Sequence, residues 1–278
     1  NVDRIRALRA ELLGEELAPI VKPELPVLPV RPPVLCAGCS HRTVFYSLAK
    51  LKATVSGDIG CYTLGCVPPL SAMDTTICMG ASIGAAFGMQ KAGLKNRVAA
   101  VIGDSTFFHS GITGLIDVVY NKGAVTVVVL DNRITGMTGH QQNPGSGKTL
   151  LGEETVQVSI AEVARAVGVK RVREVDAYNQ KEVEEALAEE LDIPEPSVIV
   201  VYGSCVIAAK RNVNATPYKV DPDKCMACGS CFKLGCPAII RGEAKGKLFK
   251  AQIDPAVCIG CDVCAQLCKF GAISSTAK

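Results

Sequence analysis

Between Val34 and Arg211, apolar runs rich in β-branched residues alternate with stretches of helical spacing. Val98 to Ile102, Val125 to Leu130 and Val198 to Tyr202 are continuous apolar runs, the pattern of strands covered on both faces. Gly80 to Ala92, Ile112 to Tyr120 and Lys181 to Leu191 place apolar residues at helical intervals. This alternation predicts an α/β domain built on a parallel sheet with helices on its faces. Upstream, Ile5, Leu8, Leu12 and Leu13 stand among charges from Val2 to Leu17, an amphipathic helix that needs a neighbour to cover its apolar side. Prolines recur from Pro19 to Pro33, removing backbone donors and holding φ near the extended value, which predicts a stiff strap.

Downstream, the chain repeats itself. Val220-Asp-Pro-Asp-Lys-Cys225 returns as Ile253-Asp-Pro-Ala-Val-Cys258, a shift of 33 positions (258 − 225). Neither copy is long enough to bury a core alone, so the two are expected to pair into one small α+β unit. Three regions result: residues 1–33, a helix and proline-rich linker; residues 34–212, the parallel-sheet domain; and residues 213–278, the duplicated unit.

Composition changes this picture in one respect, the cysteines. The net charge of +3 is small for 278 residues and no basic run carries interleaved aromatics, which disfavours a nucleic-acid partner. No apolar stretch approaches the ~18 to 20 residues of a membrane span, and the first thirty residues lack a secretory pattern. The start at Asn1 rather than Met raises the expectation of a segment upstream. Fourteen cysteines, mostly in C-x-x-C runs, have the spacing of metal or cluster ligation and point to a reducing, cytoplasmic setting.

The first run is Cys225, Cys228, Cys231 and Cys236 followed by proline; the second is Cys258, Cys261, Cys264 and Cys268. Three closely spaced thiolates grip three irons of a 4Fe-4S cluster, and the fourth iron takes its thiolate from the other run, the crossed arrangement of two-cluster ferredoxins. Cys225, Cys228, Cys231 and Cys268 are thus expected on one cluster, and Cys236, Cys258, Cys261 and Cys264 on the other. The unit resembles the bacterial two-cluster ferredoxin module. It departs from that pattern in having four residues before Cys236 instead of three, and Lys269 where a proline is expected. The extra residue is expected to bulge a loop without losing the ligand; a pair of structural zinc knots is the alternative reading.

Gly103-Asp104-Ser105 follows one apolar strand and Asp131-Asn132 the next, with Asn132 placed 28 positions after Asp104 (132 − 104). In a βαβ unit that spacing brings both side chains to the carboxyl edge of adjacent parallel strands, where ligands of such sheets bind. A carboxylate, an amide oxygen and a backbone carbonyl suit Mg²⁺ shared with a diphosphate, and amides near Ser105 and Thr106 suit its phosphate oxygens. Ordinary turn chemistry after strands also favours Gly, Asp and Asn. Gln142 to Thr149 nearly matches a nucleotide-binding loop but lacks its first glycine and preceding strand, and reads as a mobile loop beside the site.

Taken together, Gly-Asp-Ser-Thr-Phe-Phe-His-Ser-Gly from Gly103 and Asp-Asn-Arg-Ile-Thr-Gly-Met-Thr-Gly-His-Gln from Asp131 closely resemble the large-subunit family of indolepyruvate:ferredoxin oxidoreductases, within the 2-oxoacid:ferredoxin oxidoreductases. The resemblance runs from Val34 to Lys278. It implies thiamine diphosphate held with Mg²⁺ on Asp104, Asn132 and the Ile134 carbonyl, with Gly60, Gly103, Ser105 and Thr106 also lining the cofactor. It implies a third 4Fe-4S cluster on Cys36, Cys39, Cys61 and Cys205; a ribbon-like zinc site on Cys36, Cys39, Cys61 and Cys66 is the rival. Of the three histidines, each inside a motif, His109 and His140 are favoured over His41 for substrate or proton-transfer work.

The implied activity is thiamine-dependent oxidative decarboxylation of an aryl 2-oxo acid to an acyl-coenzyme A and CO₂, with electrons leaving through clusters to ferredoxin. Pyruvate or another 2-oxo acid is the rival substrate, and a non-catalytic electron-transfer subunit is the rival class. The implied partners are a pyrimidine-binding half carrying the activating glutamate, a further small subunit, and an external ferredoxin. Pro217 to Lys278 holds nine Lys/Arg against five Asp/Glu, a net of +4, so that ferredoxin is expected to be acidic.

Overall fold

The computed structural model describes residues 2–17, 30, 32–209 and 216–277. They fall into two compact units, residues 1–33 and residues 34–278. In the first, helix α1 (Val2–Leu13) is shorter than its pattern predicts, because Gly14 turns the backbone left-handed at φ 65°. Ile5, Leu8, Leu12 and Leu13 stay exposed on it. Most of the proline strap and the expected boundary at residues 212–213 lie outside the described residues.

The second unit begins with the turn of Cys36 to Cys39 and α2 (His41–Leu51), then β1 (Thr54–Gly57), β2 (Thr75–Thr76) and α3 (Ala81–Lys91). Strand β3 (Val98–Gly103) leads into a helical run over residues 104–120, comprising α4 (Asp104–Thr106), a π turn at Phe107–Gly111 and α5 (Ile112–Tyr120). After β4 (Thr126–Asp131) come α6 (Ile160–Ala166), β5 (Arg171–Asp176), α7 (Gln180–Glu190) and β6 (Ser197–Tyr202). The strands form one parallel sheet in the order β2-β1-β3-β4-β6-β5.

Both faces of that sheet are buried, which is why its central strands read as unbroken apolar runs. Ala99, Val101, Val128, Leu130, Ile199 and Val201 point to one core with Phe45 and Leu48 of α2 and Leu187 of α7. The intervening residues, among them Ile102, Val129 and Val200, point to the other with Ile83, Leu115 and Ala164. Ser159 and Asn179 cap α6 and α7, each accepting the backbone N–H of the Glu three residues on.

The duplicated unit follows with β7 (Tyr218–Val220), β8 (Ile239–Lys245), β9 (Leu248–Ile253), α8 (Val263–Gln266) and β10 (Ile273–Ser275). Strands β7 and β10 pair antiparallel, as do β8 and β9. A small core of Leu234, Ile239, Ile253, Val263 and Ile273 lies among the cysteines. The unit docks on the sheet domain beside α2 and α7: Gln266 Nε2 donates to the Tyr178 carbonyl at 2.8 Å, and the Gln180 amide donates to Gln266 Oε1 at 2.9 Å. Among the described residues no helix is long and apolar enough to cross a membrane.

Candidate active site

Register puts Gly103 of β3 opposite Leu130 of β4, so Asp104 and Asn132 leave the sheet side by side at its carboxyl edge. There they line a cavity of about 520 Å³ with His41, Gly60, Cys61, Tyr62, Ser105, Thr106 and Ile134. Every residue expected to hold cofactor or Mg²⁺ is in this wall. Tyr62 packs where a Cβ on Gly60 or Gly103 would fall, 2.4 and 2.6 Å from its ring, so both positions exclude larger residues.

Asp104 is 3 % exposed, with Oδ1 accepting the Ser105 amide at 2.7 Å and Oδ2 the Asn143 side-chain amide at 3.2 Å. Burial, reinforced by the neighbouring Asp131 carboxylate, pushes its acid up to about 7. Burial raises Asp131 too, although Arg133 Nε, 3.0 Å away, works against the shift. Two carboxylates drawn together out of water are the chemistry of a cation site, and hard oxygens are what Mg²⁺ takes. Asn132 Oδ1 accepts the Ile134 amide at 3.2 Å. The residues present therefore fit a diphosphate bound through Mg²⁺.

His109 is exposed on the π turn, and His140, at φ 64°, lies with Nε2 3.7 Å from Cys205 Sγ. Neither lines the cavity. His41 does, 3 % exposed, with Nε2 3.5 Å from Asn132 Nδ2. Burial, with Arg42 beside it, holds His41 down to about 4, so the ring is neutral at pH 7. Asn143 is a second residue the motifs did not disclose; it starts the expected mobile loop, which is pinned there by Asp104 and by Gly145, whose carbonyl accepts from Gln157 Nε2 at 2.9 Å. The sequence signal for it was an Asn-Pro-Gly turn eleven residues after Asn132.

Cys36, Cys39, Cys61 and Cys205 gather next to this wall. Burial pushes Cys39 up to about 12, with the Cys36 and Cys61 sulfurs adding to the shift, and burial raises Cys61 with help from Cys205 and Cys36. Cys61 belongs both to the cavity and to this quartet. The Asn132 carbonyl accepts the Cys205 amide at 3.1 Å, tying the late strand end to the same edge. Cys66 is exposed at the far end of the short 3-10 turn Cys61–Cys66.

In the duplicated unit, Cys225, Cys228, Cys231 and Cys268 line one cavity of about 380 Å³, and Cys236, Cys258, Cys261 and Cys264 another of about 350 Å³. Burial first, and the neighbouring sulfurs after it, push Cys231 and Cys261 up to about 11. Such thiols ionise only against positive charge, which an iron core supplies. Among the described residues no three His, Cys, Asp or Glu side chains converge closely enough to grip a single ion. The extra residue of the first run is absorbed where the 3-10 turn Cys231–Leu234 ends on left-handed Gly235, φ 68°. Ala37 and Gly38, from the turn between Cys36 and Cys39, line the second of these cavities.

Comparison with known proteins agrees in outline. The family described as thiamine pyrophosphate enzyme, C-terminal TPP binding domain, matches residues 58–201, and the 4Fe-4S binding domain matches residues 251–274. A protein of Pyrococcus abyssi named indolepyruvate oxidoreductase subunit IorA is 42% identical over 98% of this chain and 45% of its own length. One of the same name from Methanothermobacter thermautotrophicus is 41% identical over 98% and 45%. The chain thus spans about half the length of the curated relatives it matches. A 2-oxoglutarate:ferredoxin oxidoreductase from Magnetococcus marinus, solved with 2-oxoglutarate, coenzyme A and succinyl-CoA, shares the fold at TM-score 0.56 and 19% identity, over 81% of this chain and 84% of that one.

Proposed function

Because the chain belongs to the thiamine pyrophosphate enzymes, whose C-terminal TPP binding domain it carries, we propose that it is the cofactor-binding and electron-carrying part of a 2-oxo acid:ferredoxin oxidoreductase acting on aryl 2-oxo acids such as indolepyruvate. The observation that carries this reading is Cys61, which stands at once in the wall of the Asp104–Asn132 cavity and in the nearest cysteine quartet. A 4Fe-4S cluster on that quartet would stand beside the cavity as a one-electron acceptor for an oxidation there.

In this reading Asp104, Asn132 and the Ile134 carbonyl would hold Mg²⁺, and the Thr106 amide with the Ser105 hydroxyl would meet the diphosphate. Thiamine diphosphate, when bound, supplies the electron sink for loss of the substrate carboxylate as CO₂. Neutral His41 beside Asn132 Nδ2 orients the amide, whose Oδ1, already accepting the Ile134 N–H, keeps a second lone pair for the cation. His109, three residues beyond Thr106 on the same helical run, remains available to substrate, while His140 steadies Cys205. The three cysteine quartets would hold three 4Fe-4S clusters, which would supply one-electron carriers between Cys61 and a cytoplasmic acidic ferredoxin, and coenzyme A would take the acyl group. A pyrimidine-binding half and a small subunit complete the enzyme.

The test is turnover by the assembled enzyme with coenzyme A and ferredoxin on indolepyruvate, phenylpyruvate and pyruvate. Aryl substrates are expected to exceed pyruvate in kcat/KM by at least about tenfold, about 1.4 kcal/mol of transition-state binding. Pyruvate turned over as well or better would overturn the substrate assignment, and ferredoxin reduction by none of them the enzyme class.

A further inference from the structure

Arg42 is the second residue of α2 and only 3 % exposed. Each of its guanidinium nitrogens donates to a backbone carbonyl: Nε to Cys36 at 3.1 Å, Nη1 to Leu234 at 3.1 Å, and Nη2 to Leu35. Among the described residues no carboxylate pairs with it. A cation withdrawn from water with only neutral acceptors is strongly unfavourable unless negative charge lies close by. Burial indeed pulls Arg42 below its ordinary value, and the groups that oppose the shift are Cys236 and Cys261 of the duplicated unit and Cys39 and Cys36 of the sheet domain.

Those contacts bridge two cysteine sets. Leu35 and Cys36 belong to the turn entering the first quartet, whereas Leu234 ends the 3-10 turn of the duplicated unit. Room for the guanidinium comes from Gly235, where a Cβ would fall 3.2 Å from Nη1 and 2.9 Å from Pro69. The residue that departs from ferredoxin spacing thus falls in the stretch where Arg42 docks.

We propose that the Arg42 guanidinium is a shared counter-cation for the quartets Cys36, Cys39, Cys61, Cys205 and Cys236, Cys258, Cys261, Cys264, favouring the reduced state of each and so setting how electrons pass between them. The inference rests on the cluster reading above. A 4Fe-4S core with four thiolates is a net anion, and reduction adds one more negative charge, so a fixed cation in a low-dielectric site raises the potential. The step affected moves one electron: the quartet beside the cofactor cavity is oxidised, the next is reduced, and no bond or proton changes. The distal quartet of Cys225, Cys228, Cys231 and Cys268 has no such neighbour in Arg42 and serves as an internal reference.

In the intact, cluster-loaded protein, Arg42→Gln keeps a donor for the carbonyls and removes the charge. Potentiometric titration followed by EPR should show two centres becoming at least about tenfold harder to reduce, about 59 mV for a one-electron couple, with the distal centre unmoved. Arg42→Lys, which restores charge, should titrate near the native values. Unchanged midpoints in Arg42→Gln with all iron retained overturn the proposal. If Arg42→Gln loses iron, Arg42→Lys decides: native midpoints uphold the counter-cation, and lowered ones overturn it in favour of positioning by hydrogen bonds alone. A native protein with two centres and about eight irons, four per cluster, would overturn the underlying cluster reading instead.

Discussion

Asp104 leaves β3 buried beside Asp131, and its proton is held up to about 7. In an unfolded chain the same group ionises near ~3.9. Between those two values the folded, metal-free chain keeps a proton that the unfolded chain has released, so its stability falls as pH rises from about 4 to about 7. In the proposed enzyme, Mg²⁺ bound with thiamine diphosphate would supply the missing positive charge. The rise in melting temperature on adding them should therefore be larger at about pH 8 than at about pH 5. Asp104→Asn should flatten that difference and weaken cofactor binding by about a hundredfold, about 2.7 kcal/mol. A cofactor-induced shift equal at both pH values in the native chain would show that Asp104 does not meet the cation.

At the scale of elements, the turn between Cys36 and Cys39 is the hinge of the arrangement. Gly38 is left-handed at φ 65°, its carbonyl accepts the Tyr178 hydroxyl at 3.2 Å, and its Cα faces the Ile259 side chain so closely that a Cβ would overlap it. Gly38→Ala meets two costs together, backbone strain and overpacking, each about 1 to 3 kcal/mol. It should lower the melting temperature and loosen the duplicated unit from the sheet domain. Adding Ile259→Ala should recover the packing part and leave the backbone part, which thermal melts of the single and double variants measure. Equal loss in the two would mean that Ile259 is not what Gly38 accommodates.

For the molecule as a whole, the cavity, the quartet beside it and the two quartets of the duplicated unit lie in succession, joined through Cys61 and through Ala37 and Gly38. In the proposed enzyme the activation of thiamine falls to the pyrimidine-binding half. The 278-residue chain alone should accept electrons from dithionite into its clusters and release no CO₂ from indolepyruvate. Measurable CO₂ from the purified, partner-free chain would place the activating acid within it.

The central strands and their helices were legible because burial on both faces leaves only apolar residues, and the sheet came out within a residue or two of its pattern at Val98–Gly103, Thr126–Asp131 and Ser197–Tyr202. Edge strand β5 was not, since Arg171, Arg173, Glu174 and Asp176 interrupt its apolar positions; three of those charges are satisfied tertiarily, Arg171 and Arg173 both reaching buried Glu190 and Glu174 pairing with Arg165 of α6. Local spacing likewise singled out the cysteine runs, whose members recur at short, regular separations, whereas Asp104 and Asn132, 28 positions apart, were picked out by their place after two apolar strands and by family resemblance. Which histidine enters the cavity depends on side-chain direction at chain positions far apart, and that brought His41 in while leaving His109 outside. The meeting of Cys36, Cys61 and Cys205, and the placing of Arg42 between two quartets, join segments up to 192 residues apart. No local pattern encodes such separations; they arise where the turn before α2 meets the carboxyl edge of the sheet and where the duplicated unit packs beside α2.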